Sequence, residues 1–145
     1  MIIASASLFS FPAVDGLHFP EHCFYPIMEE VDGRFVAGRS PIQKAALDAD
    51  VATLYPDFES PAEDDAHLIV GGGGAWEGEG FLALVHRDSR EAVWVLYLET
   101  AEAFVSAYVS EDTVYAVSSE YPFSTQWSIR ACHPPEVLGV RTHAP

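Results

Sequence analysis

The chain has 145 residues, with 22 Asp and Glu against 7 Lys and Arg and a formal net charge of −15. Its length fits one domain with a real core, and its hydrophobic content of 49% is that of a globular protein. So large an acidic excess disfavours DNA, RNA and anionic membranes, because phosphate contact needs Lys and Arg, and it favours basic partners, whose encounter it speeds.

The start, Met1 to Phe9, is mildly apolar but lacks a basic region, and Pro12 and Asp15 break the run. No signal peptide is expected, and no apolar run approaches the ~20 residues of a membrane span. Cys23 and Cys132 do not make a disulfide framework. The expectation is therefore a cytoplasmic protein with reduced thiols, a Cys23–Cys132 bridge being the alternative in an oxidising compartment.

Taken in chain order, residues 1–25 are punctuated by Pro12, Gly16 and Pro20 and read as irregular or edge structure. Ile27 to Val31 and Arg34 to Ala37 flank Asp32-Gly33, a hairpin signal. Residues 41–54 are expected to form the main helix. Ser40 is a suitable N-cap, Pro41 stands at the first helical position, and Gln43 completes a capping box. Leu47, Val51 and Leu54 recur at helical spacing, and Pro56 stops the run. Residues 56–65, rich in Pro, Asp and Glu, read as a loop.

Six segments then read as strands: His67 to Val70, Phe81 to His86, Ala92 to Glu99, Ala103 to Val109, Thr113 to Ser118 and Thr125 to Ala131. Ala101, Phe104, Val105 and Tyr108 also fit a helical stripe, but their β-branched and aromatic neighbours favour a strand. Short polar turns between the segments predict an antiparallel meander. Phe81 to Val85 and Val93 to Leu98 are apolar on both faces and need cover on both sides. The helix would cover one face, and the N-terminal segment or a partner subunit the other. The tail from Pro134-Pro135 is expected to run extended over the surface. The reading is a single domain over residues 1–145 of class α+β: a meander of about six strands, one main helix and an irregular N-terminal segment.

Little in the chain points to catalysis. Gly71 to Gly74 lacks the Lys and the Ser or Thr of a phosphate loop, and Glu77 and Glu79 would repel phosphate. It reads as a mobile loop between strands, or a place where another backbone comes close. His18, His22, Cys23, Cys132 and His133 are zinc-ligand types, but Pro20 breaks the first spacing and no Cys-x-x-Cys pair exists. No metal and no cofactor is expected. There is no Gly-x-Ser-x-Gly elbow. The chain is read as not an enzyme.

Charge distribution says more. No Lys or Arg lies between Lys44 and Arg87, or from Glu91 to Ile129. Acids without neighbouring cations repel one another, which suits a surface that grips a basic one. An ordinary solvated face is the plain alternative. The candidate partner-binding residues are Asp57, Glu59, Glu63, Asp64, Asp65, Trp76, Glu77 and Glu79, with Trp76 as an apolar anchor ringed by charge.

Gly80-Phe81, Trp94-Val95-Leu96, Ala103-Phe104, Val114 to Ser118, and Tyr121-Pro122 leading to Trp127-Ser128-Ile129 together resemble small bacterial immunity proteins of polymorphic-toxin or secretion-system effector pairs. The resemblance spans residues 80–129 and carries over no functional residue. It implies a cytosolic inhibitor that neutralises a cognate basic toxin, of which a nuclease is one kind, through an acidic surface. Two other readings stand beside it. One is a small enzyme or small-ligand-binding protein with a pocket in the sheet, using His67 and His86 near strand ends. The other is a structural or assembly subunit, with the two-sided strands forming a homodimer interface.

Overall fold

The structure, a computed structural model, describes residues 9–21, 23–43, 51–74, 79–99, 102–120 and 122–143. Within them the chain forms twelve strands and no helix. In chain order these are β1 (Gly16–Phe19), β2 (Cys23–Glu29), β3 (Arg34–Ala37), β4 (Ile42–Gln43), β5 (Leu54–Pro61) and β6 (His67–Gly74). They continue as β7 (Gly80–His86), β8 (Ala92–Leu98), β9 (Phe104–Ser110), β10 (Thr113–Glu120), β11 (Phe123–Arg130) and β12 (Glu136–His143).

All pairings are antiparallel, in the order β5-β6-β7-β8-β1-β2-β3-β12-β11-β10-β9, with β4 paired to β2 off this path. The end strand β9 returns to lie beside β6 and β5, so the sheet curls into a nearly closed barrel. Where β9 begins, the chain crosses Gly80. A Cβ there would run into the Glu102 carbonyl, so only glycine admits this close approach.

The two halves of the barrel are covered differently. On β11, Thr125, Trp127 and Ile129 point inward and Gln126 outward, the alternation of a sheet with one buried face. On β6, β7 and β8 both faces are buried. Ile69, Leu82, Trp94 and Leu96 join the barrel interior. Val70, Phe81, Val95 and Tyr97 form a second cluster outside it with Phe11 and Leu54. The cover is the chain's own. Pro12 bridges Val51, and the Ala52 N–H donates to the Phe11 carbonyl at 3.0 Å. These two extended segments close the outer face, the N-terminal one as a cover that the sequence had suggested and residues 51–54 in place of the helix.

Over the described residues the fold class is therefore all-β, not α+β with one main helix and about six strands. Ile42–Gln43 pairs with Cys23 and Phe24, Val51 bridges Pro12, and Leu54 opens β5 opposite Gly74. Residues 44–50 lie outside the described residues. The capping pattern at Ser40 to Gln43 is a local preference of small magnitude, and tertiary pairing overrides it. The expected hairpin forms, with Ile27 opposite Ala37 and Gly33 at φ 80°, although Val31 lies in the turn.

Four strands were not expected as such: β1, β4, β5 and β12, while β2 is the first arm of the expected hairpin extended back to Cys23. Pro56 and Pro61 hide β5, which tolerates them because it lies at the end of the sheet path. β12 follows Pro134-Pro135 and pairs with β11 along its whole length. The expected loop at Gly71 to Gly74 is instead the second half of β6. Gly72 faces the backbone of Tyr55 and Asp57 at a bulge in β5, so close backbone approach, the second of the two readings, accounts for it.

Candidate functional site

One end of the barrel is open. Here β1, β7, β9 and β11 finish while β6, β8 and β10 begin, and a cleft of about 780 Å³ sinks between them. Its floor is apolar, built from Phe19, Leu84, Trp94, Val109, Val114 and Ile129. These side chains are the last inward-facing positions of separate strands, so the ladder fixes them without loop residues. Trp94, Val114 and Ile129 are also part of the main core.

The rim comes from the turns joining those strands, where polar residues belong. It carries Glu21, Glu63, Asp64, Glu111 and Asp112, with a single guanidinium, Arg130. That cation is already held, by Asp112 at 3.0 Å and Glu136 at 3.2 Å. Asp112 first, and then Glu136, pushes it further toward its charged form. No ion pair joins Glu21, Glu63 or Glu111 to any described residue. Glu111 takes a positive φ of 58° to make the tight β9–β10 turn. Asp64 organises the turn into β6: its carboxylate accepts the Ala66 and His67 N–H groups at 2.9 Å and lies 3.0 Å from His67 Nδ1. The His67 hydrogen bond holds the Asp64 carboxyl below its ordinary range.

Of the residues expected from sequence, Glu63 and Asp64 line the mouth. Asp65 is exposed beside them, its carbonyl accepting from Arg87 Nε at 2.9 Å. Asp57 is exposed on β5. Glu59, on the same strand, is engaged by Arg90 at 3.2 Å. Glu79 lies before β7, at the opposite end from the mouth; it is buried and accepts a hydrogen bond from the Tyr97 hydroxyl. It therefore does not share a surface with Glu63 to Asp65. Trp76 and Glu77 lie outside the described residues. Sequence reasoning missed Glu21, Glu111, Asp112 and the floor. Glu111-Asp112 was visible as a turn between strands, but only the topology brings that turn opposite residues 62–66.

His67 and His86 face each other across β6 and β7 with ring centroids 5.1 Å apart. His133, also at the mouth, has its Nδ1 3.0 Å from the Tyr25 hydroxyl. The Cys132 thiol is turned toward the backbone carbonyls of Arg130 and Pro134. Cys23 and Cys132 are both half-buried free thiols. Among the described residues no group of three or more His, Cys, Asp or Glu is placed to hold a metal ion. The arrangement sets an apolar cup inside a rim on which five carboxylates outnumber one guanidinium.

No protein-family model matches this chain, and neither a curated protein nor a solved structure does. The likeness of residues 80–129 to immunity proteins thus gains no relative in its support. The antiparallel β-sheet read from the strand pattern is present, as a barrel without a helix among the described residues, whereas an immunity or antitoxin role has no support from these comparisons.

Proposed function

We propose that this chain is a cytoplasmic binding protein that holds, and by holding inhibits, a protein with a basic surface. The observation that carries this reading is the open end of the barrel, where Glu21, Glu63 and Glu111 stand without ion partners among the described residues around an apolar floor. A basic surface docking there finds charge complementarity at the rim and burial at the centre, the anatomy of a protein interface. The net charge of −15 extends the attraction beyond contact distance and raises the rate of encounter. A phosphate-binding cleft rich in Lys and Arg, as in a nuclease, is the kind of surface that such a rim suits.

Because the proteins that residues 80–129 resemble act in cognate pairs, the test uses the product of the gene adjacent to this one, co-purified with the full chain and measured by titration calorimetry. The reading expects a complex whose affinity falls by about tenfold or more as salt rises from about 50 to 500 mM, since rim charges are exposed and screened. A pair that does not associate, or whose affinity ignores salt, contradicts it.

A further inference from the structure

We infer that the barrel mouth is also a pocket for a small organic cation with an apolar body, such as a protonated arylalkylamine. This goes beyond the proposed protein partner, because a free amine needs no second protein to bind.

The cleft's volume of about 780 Å³ falls within the usual range for small-molecule sites, and mouths of β-barrels are common places for them. Phe19, Leu84, Trp94 and Ile129 supply an aromatic and aliphatic floor on four different strands, so the pocket is preformed and little ordering is needed on binding. Above the floor, the rim discriminates by charge. An entering cation meets Glu21, Glu63 and Glu111, which have no ion partner among the described residues. An entering anion meets those same carboxylates, and the only guanidinium lining the cleft is already bound by Asp112 and Glu136. The three carboxylates are solvent-exposed. An ammonium at the rim therefore keeps part of its hydration while its hydrocarbon end is buried, and the large penalty for a fully buried charge is avoided.

The experiment titrates the isotopically labelled full chain with 4-phenylbutylamine, 4-phenylbutanol and 4-phenylbutyrate and follows backbone amide shifts by NMR. The amine should give saturable shifts, centred on Leu84, Trp94 and Val114, with a dissociation constant of about millimolar or tighter for a ligand of this size. The alcohol should bind at least about tenfold more weakly and the carboxylate weaker still. The double variant Glu63→Gln/Glu111→Gln should weaken the amine by about tenfold and leave the alcohol unchanged. Ala62→Phe, at the half-buried lip, should block all binding, with Ala131→Phe as the second plug should the first disturb folding. Three results overturn the proposal: no saturable shift up to about 10 mM amine, equal binding of amine and alcohol, or shifts centred on the opposite end of the barrel near Gly80 and Arg141.

Discussion

Tyr97 and Glu79 form a polar contact within an otherwise apolar cluster. The Tyr97 ring packs on Phe11, and its hydroxyl donates to the Glu79 carboxylate. Burial above all, and then the bond to Glu79, raises the Tyr97 pKa far above its ordinary value of 10.0. A pKa raised on folding means that the folded state holds the proton more tightly, so this contribution is present below pH 10 and lost as pH rises beyond it. The urea midpoint should therefore fall between about pH 9 and pH 11, and less so in Tyr97→Phe. At neutral pH, Tyr97→Phe should cost about 1–3 kcal/mol by removing a donor to a buried carboxylate. An unchanged midpoint in the variant at neutral pH would contradict the contact. Glu111, at φ 58°, makes the opposite case. Glu111→Gly relieves a left-handed backbone and should change stability by no more than about 1 kcal/mol in either direction while removing a rim charge. At this scale the sequence was least legible. Glu79 and Glu63 are both acids in cation-poor sequence, yet one lies under the outer cluster and the other on the rim. Only their strand positions separate them.

Strand faces are the next scale, and here the sequence spoke more clearly. The two-sided apolar runs of β7 and β8 marked them as covered strands, and the structure covers them. The cover was legible only in part: the N-terminal segment was among those expected, but its pairing with residues 51–54 was not. A capping box and a helical stripe over residues 41–54 state a local preference, whereas the pairing of Ile42 with Phe24 and of Val51 with Pro12 depends on residues distant in sequence. β5 was hidden by its prolines and β12 by its position after Pro134-Pro135. If the N-terminal segment is the true cover, Phe11→Ala should cost about 3–5 kcal/mol by opening the outer cluster. Val105→Ala, on an exposed side chain, should stay within about 0.5 kcal/mol. A Phe11→Ala penalty below about 1 kcal/mol in chemical denaturation would show that the segment contributes little there.

For the molecule as a whole, two features combine: a barrel open at one end and a charge of −15. The charge was plain in the composition. The mouth was not, because it is assembled from turns that topology alone brings together: Glu21 between β1 and β2, residues 62–66, and Glu111-Asp112. Like charges confined to a small surface oppose folding, so added salt should raise the thermal midpoint at neutral pH. A midpoint that falls with added sodium chloride would mean that attractive pairs such as Arg130 with Asp112 outweigh the repulsion.

In the proposed function, the acidic mouth is the face that grips a basic protein. The most direct measurement compares the native chain with Glu63→Lys/Asp65→Lys/Glu111→Lys for binding to the adjacent gene's product, after equal thermal midpoints show that both are folded. None of these three carboxylates makes an ion pair with a described residue, so their reversal tests recognition rather than folding. The reversed variant should lose at least about a hundredfold in affinity, mostly in the association rate. Affinity within about twofold of the native value would place the binding face elsewhere and contradict that reading.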